Sequence, residues 1–201
     1  MGSKGKLAVI FLLLLISRAG AGAESGNVWR VLLEPKFMHR QVAFEIPNAQ
    51  RTVLAPVQLR EDDYVFPTRA EFDALNIDWP TIRKLAATQA DAELAGLRPR
   101  YVRARNKVIA YAEVHSERPI MASAVLGPHF LGLFKDTLGE KVLIVVPNRF
   151  TAFLFAGLAS DYQQYAPMIF EAYHATPFPV SVEVFELTAT GLRAVGAYEE
   201  P

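Results

Sequence analysis

The chain has no cysteine, which excludes disulfide scaffolds, thiol nucleophiles, iron–sulfur clusters and cysteine-ligated zinc. Nor does it have an excess of charge: 21 basic side chains meet 21 acidic ones in 201 residues. A protein built to bind nucleic acid carries a clear basic surplus, so that class is set aside. No glycine-rich phosphate loop and no G-x-G-x-x-G follows a strand-like segment, which removes the common nucleotide folds. The G-x-S-x-G turn of a serine hydrolase is missing as well. No unit of 20–50 residues repeats, and no Ser/Gly/Pro-rich linker divides the chain.

What is present points to one folded body. The chain is 51% hydrophobic and 11% aromatic, enough apolar surface to offset the entropy of ordering. Its length suits one domain. Lys4 and Lys6, the apolar run Leu7 to Ile16 and the small residues Ala21-Gly22-Ala23 follow the three-part pattern of a secretory signal peptide. A membrane span needs about 20 apolar residues, so the run is too short to cross a bilayer. Cleavage after Ala23 removes Lys4, Lys6 and Arg18 and leaves 178 residues, with 18 basic and 21 acidic side chains. The expectation is a periplasmic or secreted protein with residues 24–201 as a single domain.

Periodicity then places the elements. Val28 to Leu33 is an apolar segment, and Gln41 to Ile46 alternates like a half-buried strand, with Val42, Phe44 and Ile46 on one face. Thr52 to Leu59 is a further strand, in which Pro56 predicts an edge position or a break. Thr68 and Glu71 have capping-box spacing ahead of a short helix over Arg69 to Leu75. Asp78 and Pro80 start a longer helix, with Ile82, Leu85, Ala86, Ala90 and Leu94 near one stripe and Gly96 as a left-handed end. Tyr101 to Val114 reads as one strand or a hairpin around Asn106-Lys107. A helix is predicted from His129 to Thr137, closed by Gly139. Val142 to Val146 has the continuous apolar character of a strand buried on both faces. Thr151 to Ala156 fits a strand or a helix, and Asp161 to Ala175 a helix that Pro167 kinks or restarts. A hairpin turning at Thr190-Gly191 closes the chain. The fold class is α+β, with three to four helices packed on a mixed or largely antiparallel sheet.

Four segments in this order, YVFPTRAEFDALNIDWPTIRKLAATQADAEL, MASAVLGPHFLGLF, VLIVVPNRFTAFLF and PVSVEVFEL, resemble the YtpQ-like family of uncharacterised bacterial proteins. The likeness runs from about Val53 to Tyr198. It implies a strand, small helix and long helix in the first block and a strand ending in a Pro-x-Arg-Asp turn in the third. Pro147 and Arg149 match that turn, whereas Phe150 stands where the family usually has Asp. Glu93-Leu94 stands where the family's long helix commonly has Asn-Leu. The family brings no established activity.

The candidate chemistry is sparse. Glu113 and His115 lie two apart on a predicted strand and so share a face, which makes them candidates for proton transfer or a metal, or simply a surface pair. Glu171 and His174 have the Glu-x-x-His spacing of carboxylate-bridged metal bundles, but the motif occurs once and such bundles need two. His39 and His129 have no acidic or hydroxyl partner at a recognisable spacing. Ser123 reads as a small core residue and Ser160 as a helix cap. Glu61, Asp62 and Asp63 read as an acidic loop without a calcium-binding motif. Neither a metal nor a cofactor is implied. The strongest charge feature is Arg98, Arg100, Arg103, Arg105 and Lys107. If the last three share an extended segment, they form a basic stripe suited to an anionic polymer, an acidic partner such as an envelope protein, or lipid headgroups. Arg149, at the end of the best-buried strand, can lock a turn or bind a ligand. The leading expectation is a non-catalytic binding or interaction module of the cell envelope. The alternative is an envelope hydrolase using Glu113 and His115.

Overall fold

The computed structural model describes residues 28–60, 63–159 and 162–200. The expected leader, Glu61, Asp62, Ser160 and Asp161 lie outside the described residues. Among the described residues the architecture is α+β, with all ten strands antiparallel and distributed over two open sheets rather than one. The first sheet holds β1 (Val28–Pro35), β2 (Phe44–Glu45), β3 (Thr52–Arg60) and β4 (Asp63–Val65). Helices α1 (Arg69–Ala74) and α2 (Trp79–Leu94) follow. The second sheet holds β5 (Arg100–Arg103), β6 (Ile109–His115), β7 (Val142–Val145), β8 (Thr151–Ala156), β9 (Glu183–Thr188) and β10 (Gly191–Ala197), in the spatial order β10-β9-β7-β8-β6-β5. Three further helices, α3 (Met121–Ala124), α4 (Lys135–Leu138) and α5 (Ala166–His174), lie in its connections. No helix among the described residues is long and apolar enough to cross a membrane.

Local rules account for many of these boundaries. The capping box at α1 is complete: Thr68 Oγ1 accepts from the Glu71 amide at 3.2 Å, and the Glu71 carboxylate accepts from the Thr68 amide at 2.8 Å. Asp78 accepts from the Thr81 amide at 2.9 Å to start α2. At Pro167, chain that is 3-10 over Tyr162–Tyr165 restarts as α5, because proline lacks the donor a continuing helix needs. Hairpins form around Asn106-Lys107 and Thr190-Gly191, with Lys107 and Gly191 at positive φ. The segment Thr151–Ala156 is a strand, stabilised by pairing with both β6 and β7.

Several expectations change. Pro56 is neither at an edge strand nor at a break, since β3 is flanked on both sides. It is tolerated because β2 begins opposite Leu54 and β4 ends opposite Gln58, leaving a gap at Pro56 on that side. Of the alternating segment Gln41 to Ile46, only Phe44 and Glu45 pair as strand, although Val42 and Ile46 are buried. Phe44 is instead stacked on Trp79, with ring centroids 3.8 Å apart. On α2, Leu85 is exposed and Glu93 is buried. Glu93 lies seven residues from Ala86 and eleven from Ile82, close to whole turns of a 3.6-residue helix, so it sits within the stripe. Gly96 does not adopt a left-handed conformation; the chain turns instead with the Leu97 amide on Leu94 O at 3.0 Å and Leu97 in the core. The single helix expected over His129 to Thr137 is a 3-10 turn, Phe130–Leu133, followed by α4.

Alternation along the strands divides the core. Ala112, Val114, Ile144, Ala152 and Leu154 leave one face of the second sheet and pack with Leu32 and Leu33 of β1, Met121 of α3, and Phe130 and Phe134. Val145, Phe153 and Phe155 leave the other face and are covered by Ile169 of α5. Trp29 and Val31 face Phe72, Ile82 and Ala86 of α1 and α2. Val142 to Val146 is buried throughout, as a strand covered on both faces requires.

Candidate functional site

The expected site residues fall into three places. Glu113 and His115 lie in one open groove with Arg100, Thr151 and Glu171. Glu113 is held there in an ion pair by Arg100, its neighbour in register across β5 and β6. His115 Nδ1 is 3.1 Å from Thr151 Oγ1. His174 packs instead by its ring against Phe170 and Tyr173. Among the described residues no group of three His, Asp or Glu side chains is disposed to hold a metal. His129 does have an acidic partner: its Nδ1 is 2.7 Å from Asp91 on α2, 38 residues away, a separation that local spacing does not reveal.

The basic residues do not share one extended segment. Arg98 lies just beyond α2, where its guanidinium donates to Ala95 O at 3.0 Å and Leu97 O at 2.8 Å, closing the helix end. Arg100 and Arg103 belong to β5, and Arg103 donates to Lys107 O at 2.8 Å. Residues 104–108 form the hairpin turn, with the Ala104 amide bonded to Val108 O and the Lys107 amide to Ala104 O. Arg105 and Lys107 are the exposed cations of that turn.

Arg149 marks the most developed site. It follows β7, yet Asn148 locks this turn: its Oδ1 accepts from the amides of Phe150 and Thr151 at 2.8 and 3.0 Å, and its Nδ2 donates to Ala172 O at 2.6 Å. With the turn held by its neighbour, Arg149 reaches across to the first sheet and pairs with Glu34 of β1. Glu34 is only 1% exposed. Its second oxygen accepts from Nε and a terminal nitrogen of Arg40, both at 2.9 Å. One buried carboxylate therefore serves two guanidinium groups. Aromatic rings hold both cations: Arg40 lies 3.5 Å from the Phe66 centroid, and Arg149 lies 5.4 Å from Tyr64 and 5.5 Å from Phe178.

This cluster lines a pocket of about 500 Å³ where the two sheets meet. Pro35, Pro119, Pro177 and Pro179 line its walls. Met38, Phe178 and Arg118 also line it and are exposed, and Arg118 lines the neighbouring groove of Arg30 and Glu93 as well. Tyr64 donates to Pro119 O at 3.2 Å and so ties β4 to the loop carrying Arg118. Burial, with the negative charge of Glu93 acting in the same sense, pushes the Tyr64 phenol up, so it remains a neutral donor.

Glu93 belongs to a second buried cluster nearby. It is 2.9 Å from Arg30 of β1 and accepts from Ser123 Oγ at 2.9 Å. Burial dominates its environment and raises its pKa despite the arginine. Ser123 donates within the core, and the cluster ties α2 to β1 and α3.

Glu34, Arg40, Glu93 and Asn148 were not among the sequence candidates. One signal for two members of these clusters was available. In Val28–Pro35, alternation puts Arg30, Leu32 and Glu34 on one face, so a strand buried on that face must bury both charges and supply partners for them. The partners themselves are remote: Arg149 is 115 positions from Glu34. Comparison of the chain with protein-family models, with curated proteins and with solved structures finds no match.

Proposed function

We propose that this protein is a non-catalytic binding module of the cell envelope that captures an anionic ligand in the Arg40–Arg149 pocket. One observation carries the reading: a single buried carboxylate is shared by two guanidinium groups beside a pocket of about 500 Å³. The cluster retains one positive charge that Glu34 does not neutralise. In a site with low-dielectric walls, that charge favours an anion over water. Guanidinium also presents its remaining donors in a planar fork matched to carboxylate or phosphate. The hydrolase reading has weaker support, because Glu113 is engaged by Arg100. The expected export of the chain agrees with a binding role but does not carry it.

The test is titration calorimetry of the mature chain with a panel of small carboxylates and phosphate esters, comparing wild type with Arg40→Gln. Arg40 is the more exposed cation, so its replacement leaves the Glu34–Arg149 pair in place. Loss of one charge-assisted contact of about 1.5–3 kcal/mol corresponds to a weakening of roughly 10- to 150-fold. The reading is wrong if no anion binds saturably, or if Arg40→Gln binds as well as wild type.

A further inference from the structure

We infer that the pocket selects a hydrophobic monocarboxylate, an anionic head joined to an apolar alkyl or aryl body, and that Arg118, exposed in its lining, is a ligand-contacting residue. This rests on the anion-binding reading above and narrows it to a ligand class. The walls carry the first part. Phe66, Tyr64 and Phe178 line the pocket with aromatic rings beside the guanidinium groups they hold, and Met38 and Phe178 add exposed apolar surface. The four lining prolines offer hydrophobic contact and no N–H. A peptide end bound by strand addition needs a row of backbone donors and acceptors, whereas these walls suit a body that makes no hydrogen bonds. Among the described lining residues Arg40, Arg118 and Arg149 face Glu34 and Asp63, one positive charge in excess, which a single carboxylate balances.

The loop geometry carries the second part. Arg40 and Arg149 are both engaged by Glu34. Arg118 is exposed, and its charge acts on Glu93 and Tyr64 at a distance, but its guanidinium forms no hydrogen bond or ion pair with the described residues. Its backbone is nevertheless fixed. The Arg118 amide donates to Ser116 Oγ at 3.1 Å and its carbonyl accepts from the Ile120 amide at 2.8 Å. Nearby, Pro119 O accepts from Tyr64, and the Met121 amide donates to Arg149 O at 2.8 Å. A fixed main chain thus presents a cation without a hydrogen-bonding partner beside two that are held in place. Arg149 Nε adds a buried donor without a partner among the described residues.

Calorimetry with acetate, butyrate, hexanoate, octanoate, 4-phenylbutyrate, octanamide and an acetylated tetrapeptide acid tests the inference. Affinity should rise about fourfold for each methylene that enters the pocket, octanamide should bind at least tenfold more weakly than octanoate, and the peptide acid should not exceed octanoate. Octanoate against 4-phenylbutyrate separates alkyl from aryl bodies. Arg118→Gln should weaken octanoate about tenfold and flatten its salt dependence, Arg118→Lys should restore part of both, and neither should move the melting temperature. Equal affinity from acetate to octanoate overturns the hydrophobic body and leaves anion binding standing. Equal binding of octanamide and octanoate, or tighter binding of the peptide acid, overturns the ligand class. Unchanged binding by Arg118→Gln overturns its role, and no saturable binding by any probe overturns the parent reading too.

Discussion

Glu34→Gln is the sharpest perturbation of the pocket, because it should move stability and affinity in opposite directions. The carboxylate is 1% exposed and neutralises part of the charge on both Arg40 and Arg149. Removing one partner of a buried ion pair costs about 3–5 kcal/mol, since the other charge is left without compensation. The two arginines do not suffer equally. Arg40 has a side chain 21% exposed and can turn toward water, whereas Arg149, 12% exposed and flanked by Tyr64 and Phe178, has less freedom to do so. The amide oxygen of glutamine still accepts a hydrogen bond, so the lower end, about 3 kcal/mol, is expected. For a domain of this size that corresponds to a fall in melting temperature of roughly 6–12 °C. The same substitution removes the negative charge that competes with the ligand for both guanidinium groups. A unit charge about 8 Å away at an effective dielectric of about 20 contributes about 2 kcal/mol, so octanoate should bind roughly 30-fold more tightly. Thermal unfolding and calorimetry on one preparation read both signs. A melting temperature within about 2 °C of wild type would refute the burial argument, and weaker octanoate binding by the folded variant would refute the competition argument. If Glu34→Gln does not fold, Glu34→Gln with Arg149→Met should, because the stranded charge is removed with its partner.

Two further perturbations test the supports of the site. Asn148→Ala removes the acceptor for the Phe150 and Thr151 amides and should cost about 2–4 kcal/mol in urea unfolding; Asn148→Asp keeps that acceptor but sets a carboxylate oxygen against Ala172 O in a buried site, so at neutral pH it should cost at least as much. Burial raises the Glu93 pKa above the ordinary carboxylate value, so the folded state holds this proton more tightly than the unfolded chain. Its stabilising contribution is complete below the ordinary carboxylate pKa and is lost as pH rises through the raised value. The unfolding free energy of wild type minus that of Glu93→Gln should therefore fall as pH rises above the ordinary carboxylate range. A difference that grows with pH would show that the attraction of Arg30 outweighs burial.

Elements set by neighbouring residues were legible in the sequence. The Thr68–Glu71 box, the Asp78 cap, the restart at Pro167 and the buried run Val142 to Val146 each follow from a local rule. So does the hairpin at Thr190-Gly191. The misreadings arise where tertiary contacts decide. Pro56 is accommodated by a gap between two partner strands that come from opposite sides of β3 in sequence. Glu93 is buried within the helical stripe because Arg30 and Ser123 meet it there. The basic cluster around Arg103 looked continuous because sequence counts charges without saying which carbonyls they serve. Arg149 stands out in the sequence by its place after a buried strand, but its chemistry comes from Glu34 and Arg40, and Glu34 lies one residue beyond the apolar segment Val28 to Leu33.

Under the proposed anion-binding function, the position of Glu34 joins the stability of the fold to its capacity for a ligand. Without an anion of its own, a protein placing Arg40 and Arg149 together at the junction of two sheets would hold two like charges against aromatic rings with little water to screen them. Glu34 removes most of that repulsion in the empty state, and it does so from the first sheet while Arg149 comes from the turn between β7 and β8 of the second. The same carboxylate occupies part of the hydrogen-bonding capacity a ligand would use, so affinity is limited by the device that keeps the empty pocket folded. A bound carboxylate then adds a second anion to the junction, and occupancy at about 100 times Kd should raise unfolding free energy by about 2.7 kcal/mol. That gain should be larger at the same ligand concentration in Glu34→Gln, where tighter binding and lower intrinsic stability share one cause. Equal ligand stabilisation of the two proteins would mean that Glu34 and the ligand do not compete for the same cations, and would separate the ion-pair cluster from the binding site.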